Sequence, residues 1–163
     1  MKDIMQEDDR CVLISGIAGI GKTSLIDQLV LQWADDKVMN DFDFVFKFPC
    51  RELNTLISIS SWAELVLKTL PHTYEGFFDE LMENSGRVLV IIDGIDEFRY
   101  LDDVKHLSAG NPRHRLASIV HDIILERNSL LSNGKVIVCG RPQACNKHSR
   151  DEKHTKVNRS FWF

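Results

Sequence analysis

Residues 16–24 read Gly-Ile-Ala-Gly-Ile-Gly-Lys-Thr-Ser, and the spacing Gly16-x4-Gly21-Lys22-Thr23 is that of a loop that curls around phosphate groups. Glycines leave no Cβ in the way, so successive backbone N–H groups can turn inward onto an anion. Lys22 would reach the β and γ phosphates of a nucleotide as a point charge, and Thr23 would set its hydroxyl on Mg2+. The helix expected to follow adds partial positive charge at its N-terminus. Gly16, Ile17, Ala18, Gly19, Ile20, Gly21, Lys22, Thr23 and Ser24 are therefore the candidate nucleotide-binding residues.

The second chemical signal is Asp93-Gly-Ile-Asp-Glu97, which follows directly on the apolar run Arg87-Val-Leu-Val-Ile-Ile. A carboxylate at the end of a buried strand can hold the shell of a Mg2+ ion, and a second one nearby can orient or deprotonate an attacking water. Asp93 is the candidate for the metal, and Asp96 or Glu97 for the water. Alone, such a string would read as a solvated acidic turn; beside a phosphate loop the two motifs support each other.

Positioning them takes a particular order of elements. Cys11-Val-Leu-Ile-Ser15 is a short apolar run ending at glycine, as a buried strand would be. Leu25, Ile26, Leu29, Val30 and Trp33 then form the stripe of an amphipathic helix. Phe42, Phe44, Phe46 and Phe48 alternate at period two until Pro49, which predicts a second strand with an aromatic face. Ser61-Trp-Ala-Glu64 is a capping-box pattern opening a helix to about Leu70, before Pro71, and another helix is expected over Gly76–Met82. Arg87–Asp93 has the continuous apolarity of a parallel strand covered on both faces. Leu116, Ile119, Val120, Ile123 and Ile124 make a further helical stripe, and Lys135–Cys139 a fourth strand. Strands separated by helices predict an α/β fold with a mostly parallel sheet, whose ligands sit at the C-terminal strand ends.

The formal net charge over 163 residues is −4. Residues 146–163 hold five of the basic side chains and two of the acidic ones, so the rest of the chain is more acidic still. A body of that sign argues against a broad nucleic-acid surface. The longest aliphatic run, Val88–Ile92, is far short of the roughly 20 residues of a membrane span, and the acidic N-terminus lacks the basic head of a secretory signal. A cytoplasmic location is expected, with Cys11, Cys50, Cys139 and Cys145 as thiols. The spacing of Cys139, Cys145, His148 and His154 matches no standard zinc site, and no G-x-S-x-G elbow supports a hydrolytic triad.

Four strings occur in order: Gly16-Ile-Ala-Gly-Ile-Gly-Lys-Thr23, Phe48-Pro-Cys-Arg-Glu-Leu-Asn54, Val90-Ile-Ile-Asp-Gly-Ile-Asp-Glu97 and Val138-Cys-Gly-Arg-Pro142. With them the chain resembles, over about residues 10–143, the NACHT domain of NLR-type proteins, in the STAND class of P-loop NTPases. The resemblance implies a three-layer sandwich of the ASCE type, with the sensor strand between the phosphate-loop strand and the acidic-loop strand. It also implies ATP or ADP with Mg2+, bound as a switch with slow hydrolysis, and homo- or hetero-oligomerisation with NACHT-containing relatives. Innate-immune signalling and the choice of adenine come from the resemblance alone. Arg141 resembles the sensor arginine of the family, and Arg51 and Glu52 match its string without a physical role being evident. The sensor reads Cys139-Gly-Arg-Pro where the family usually has Thr-Ser-Arg-Pro, which removes a hydroxyl. Rival expectations are a self-sufficient NTPase, and a truncated interaction fragment without turnover.

The family continues beyond the sensor into a fifth strand, a helical domain and a winged-helix domain, so the sheet is expected to be incomplete at its C-terminal end. The division expected is an extension over 1–10, the NTPase core over 11–143 and a basic, disordered tail over 144–163. A degenerate fifth strand near Thr155–Phe163 is the alternative; without it the outer edge of the Cys11–Ser15 strand is unpaired.

Overall fold

The structure, a computed structural model, describes residues 10–70, 74–106, 114–124, 134–144 and 157–162. Five parallel strands form one sheet: β1 (Cys11–Ser15), β2 (Phe44–Pro49), β3 (Val88–Asp93), β4 (Lys135–Gly140) and β5 (Val157–Trp162), in the order β2-β3-β4-β1-β5. The helices are α1 (Lys22–Ala34), α2 (Cys50–Leu53), α3 (Trp62–Thr69), α4 (Phe77–Glu83), α5 (Leu101–His106) and α6 (Arg115–Ile124). The chain therefore has the α/β fold of a P-loop NTPase, and β4 lies between β1 and β3 as expected of a sensor strand.

Each central strand is covered on both faces, and its residues divide by parity. Cys11 and Leu13, Val88, Val90 and Ile92, and Val136 and Val138 join the core under α3, α4 and α6. Val12 and Ile14, Leu89 and Ile91, and Ile137 and Cys139 join a second core with Ile26 and Leu29 of α1. This is why the three strands read as apolar runs: apart from Lys135 at the start of β4, no position on them is left uncovered. In α6, Leu116, Ile119, Val120, Ile123 and Ile124 are all buried, the expected stripe.

The aromatic strand departs from its expected pattern at one residue. β2 starts at Phe44, and Phe46 and Phe48 stack at 6.3 Å and meet the edge of Trp62 from α3. Phe42 instead packs on the opposite side, with α1. Its N–H donates to Met39 O (3.0 Å) and its carbonyl accepts from Trp33 Nε1 (2.8 Å), so it belongs to the turn before the strand. Asp43 then fixes the strand entry: Arg87 holds its carboxylate at 2.5 and 2.7 Å, and its N–H donates to Arg87 O.

At α3 the cap forms with a shift. Ser61 Oγ accepts from Glu64 N, but Glu64 Oε2 reaches Ser60 N and Ser60 Oγ rather than the N–H of Ser61. Helix α4 begins after Gly76, whose φ of 85° is available to glycine at little cost.

The C-terminal expectations are corrected by β5. Val157–Trp162 pairs in parallel with β1, from Cys11↔Val157 to Ser15↔Trp162 with one register shift, so these residues are strand rather than disordered tail, and the outer edge of β1 is paired. The physical reason is that every residue of β1 is buried, and a buried strand edge needs partners for its N–H and C=O groups. Residues 1–9 and 145–156 lie outside the described set, and with them Cys145, His148 and His154.

Ile92 of β3, fully buried over the α3/α6 side, and Ile57, which is exposed, provide a contrast. Ile92→Ala is expected to lose about 2–5 kcal/mol of unfolding free energy in urea titrations, and Ile57→Ala about 0.5 kcal/mol or less.

Candidate functional site

All five strands end on one edge of the sheet, and the two sequence motifs meet there. Ser15 is opposite Gly140 and Asp93 opposite Cys139 in register, while Gly94 N donates to Cys139 O at 3.0 Å and Gly16 N to Gly140 O at 3.3 Å. The residues that leave the three strands are thus tied to one another by backbone bonds. Beyond them opens a cavity of about 660 Å3, within the usual range for small-molecule sites of roughly 300–1,000 Å3.

The glycine loop forms one wall. Gly19 and Gly21 have φ of 78° and 94°, and a Cβ built on either would meet nothing within 4 Å. These positions therefore call for glycine through backbone conformation, and leave open space in front of the loop. Gly21 is the N-cap of α1 and brings no side-chain cap, so the first N–H groups of the helix face outward unsatisfied by a cap residue. Lys22 Nζ donates back to Gly16 O (2.7 Å) and Ile17 O (3.0 Å). Ala18, Gly19, Gly21, Lys22, Thr23 and Ser24 line the cavity; Gly16, Ile17 and Ile20 do not, and both isoleucine side chains face solvent.

Thr23 and Asp93 are brought together across seventy residues of chain: Thr23 Oγ1 donates to Asp93 Oδ1 at 3.3 Å. Asp93 is only 7% exposed. A hydroxyl and a carboxylate side by side are the hard oxygen donors that suit Mg2+, which commonly takes one or two protein ligands and completes its shell with phosphates and water. No group of three His, Cys, Asp or Glu side chains among the described residues makes a protein-only metal cage. The residues fit a Mg2+ ion that arrives with a nucleotide.

Asp96 and Glu97 sit on the 3₁₀ turn Ile95–Glu97, whose Ile95 is fully buried and anchors it. Each has an arginine. Arg141 closes on Asp96 from two sides, with its N–H on Oδ1 and Nε on Oδ2, both at 3.0 Å. Arg51 grips Glu97 through Nε and through Nη2, the latter at 2.8 Å to Oε1. Arg141 is thus held against the acidic turn, where the sensor resemblance has it projecting toward a γ phosphate. The hydrogen bonds from Arg51 hold the Glu97 carboxyl below the usual carboxylate range, against the opposing effect of burial.

Three participants were not legible as such. Arg51 had no evident role until α2 placed it over the acidic turn. Asn54, at the end of α2, donates to Glu97 O (2.8 Å) and accepts from Arg99 N (2.8 Å), bracketing the turn. Lys47 of β2 lines the cavity beside Asp93; a lysine interrupting an otherwise apolar strand was the available signal. Cys50, also at the cavity, is buried, and desolvation together with Asp93, Asp96 and Glu97 pushes its thiol well above the ordinary range. That shift disfavours the thiolate, which is the nucleophilic form.

Comparison with known proteins agrees with this geometry. The family model described as "NACHT domain" matches residues 10–156. The chain is 30% identical over 162 residues to nucleotide-binding oligomerization domain-containing protein 2 of Bos taurus, covering 96% of this chain and 16% of that protein. The Homo sapiens protein of that name is 31% identical over 159 residues, covering 94% and 15%. NACHT, LRR and PYD domains-containing protein 12 of Homo sapiens is 37% identical over 94 residues, 57% of this chain and 9% of that protein. This chain belongs to the NACHT domain family, and spans less than a fifth of the relatives it matches. No helix among the described residues is long and apolar enough to cross a membrane.

The Arg51–Glu97 pair makes a pH-dependent contribution with a defined sign. Because the folded-state pKa of Glu97 lies below its value of 4.5 in a free side chain, the pairing stabilises the fold above that pH and stops doing so as pH falls through the folded value. Arg51→Met is expected to move the Glu97 carboxyl resonance midpoint upward in an NMR titration. The stability difference from the parent chain, present at neutral pH and small because the arginine is exposed, should vanish toward acid.

Proposed function

We propose that the chain is an ATP- and ADP-binding switch module of an NLR-like cytoplasmic signalling receptor, of innate-immune type by resemblance, with slow or absent hydrolysis. The observation that carries it is the meeting of an open glycine loop at the start of α1 with the hydroxyl of Thr23 on the buried carboxylate of Asp93. The loop N–H groups and Lys22 take the β and γ phosphates, Lys22 exchanging its loop carbonyls for phosphate oxygens. Thr23 and Asp93 hold Mg2+, which when bound neutralises phosphate charge. Ser24 and the following N–H groups of α1 extend the same anion-binding surface.

Slow turnover is supported by the state of the acidic turn. A carboxylate that orients or deprotonates water needs a free lone pair aimed at it, yet Asp96 is occupied by Arg141 and Glu97 by Arg51. In this arrangement the site binds before it cleaves, as a switch does. Oligomerisation with other NACHT domains, and the preference for adenine, rest on family membership.

Fluorescent ATP and ADP titrated with Mg2+ into the chain are expected to bind saturably, and to bind the Lys22→Ala variant at least about tenfold more weakly, a loss of one charge-assisted contact. Nucleotide at 100 times its dissociation constant should raise the unfolding free energy by about 2.7 kcal/mol, without sustained phosphate release. A chain shown to be folded by circular dichroism that binds neither nucleotide would overturn the reading.

A further inference from the structure

β2 carries a lysine where its neighbours are aromatic or aliphatic, and the sheet decides where that lysine goes. Phe46 and Phe48 face the α3 side, so Lys47, of opposite parity, faces the α1 side, one residue before the strand residue that pairs with Ile92. Its ammonium group lies 3.8 Å from Asp93 Oδ2 and is ion-paired to Asp27 of α1. The side chain is only 21% exposed. Asp93 is therefore flanked on both oxygens: the Thr23 hydroxyl on Oδ1, and Lys47 on the side of Oδ2. Lys22, the other lysine of the cavity, is turned onto its own loop.

A cation beside that carboxylate occupies the electrostatic role that a divalent ion would take. It offsets the charge of Asp93 before any nucleotide arrives, adds positive potential for phosphate, and repels a Mg2+ ion bound to the same carboxylate. Asp27, ion-paired to the same ammonium, draws part of its charge away from Asp93. We infer that Lys47 is a built-in counter-cation for Asp93 that sets how far nucleotide binding depends on Mg2+, with Asp27 as the residue that tempers it. This rests on the nucleotide-binding reading above and specifies the ion dependence of the same site. Lys47 acts through Asp93 and the phosphate potential, as a positioning residue rather than a catalytic one.

The test is the ratio of dissociation constants for fluorescent ADP in EDTA and in Mg2+, for the parent chain and for Lys47→Met, Lys47→Arg and Asp27→Asn. Lys47→Met, which keeps the stem and removes the charge, is expected to raise the ratio at least about fivefold, the size of a unit-charge interaction at about 4 Å when screened as fully as in bulk water. Lys47→Arg should restore a ratio near the parent value, and Asp27→Asn should lower it. Lys47→Gln replaces the methionine variant if that one fails to fold. A ratio that stays within about twofold of the parent when the charge is removed, or that rises alike in Lys47→Met and Asp27→Asn, overturns the inference. A second arm needs no nucleotide: Mn2+ binding to the chain alone, followed by electron paramagnetic resonance, should tighten in Lys47→Met by a similar factor. If no variant binds ADP, the proposed function falls and the Mn2+ arm decides the role of Lys47 by itself, tightening in its favour and equal affinity against it.

Discussion

Asp93 ends a strand whose every residue is buried, and a carboxylate so placed has to be paired or hydrogen-bonded to stay ionised. Much of the architecture at the ligand edge supplies those partners. Thr23 reaches it because β1 and β3 are parallel and separated only by β4, which brings the start of α1 across the top of β4. Lys47 reaches it because β2 pairs with β3 in a register that sets Pro49 beside Asp93. Moving β3 by one residue would exchange its two faces, and the carboxylate would lose its hydroxyl and its cation together.

Around this fixed point the charges of the cavity are balanced. Lys22, Lys47, Arg51 and Arg141 line it with Glu52, Asp93, Asp96 and Glu97, in a chain whose net charge is negative. A polyanion can enter such a site only where cations are not already committed, which leaves the N-terminus of α1 and Lys22, whose bonds are to neutral carbonyls. The arginines are committed elsewhere, on the acidic turn. Electrostatics thus separates a binding half from a half that is held closed.

What the sequence made legible was local. The glycine loop, the apolar strands and the helical stripes are written in spacing and period, and the structure has them within a residue or two of the expected bounds. Phe42 matched the alternation yet lies on the other face, because a turn bond to Met39 outweighs a pattern that says nothing about where a strand begins. Arg51, Asn54 and Lys47 were hidden for a different reason. Their partners lie 46, 43 and 20 residues away for Glu97, Glu97 O and Asp27 respectively, and no periodicity encodes a contact between two polar residues on different elements. β5 was the weaker of two expectations since its sequence, Val-Asn-Arg-Ser-Phe-Trp, alternates poorly; the requirement came from β1, whose buried edge demanded a partner.

The two halves of the site also differ in stiffness. Asp93 is withdrawn from water, so removing its partners would strand a buried charge at a cost of several kcal/mol. The Arg51–Glu97 pair is wet on the arginine side, and exposed ion pairs are worth about 1 kcal/mol or less. Asn54 and the buried Ile95 hold the backbone of the turn while its carboxylates are held only by exposed arginines. A ligand that offered Arg141 or Arg51 a better anion could therefore release Asp96 or Glu97 without moving the strand that carries Asp93. Asp93 is the buried member of the site, and the arginines that hold the acidic turn are its exposed ones.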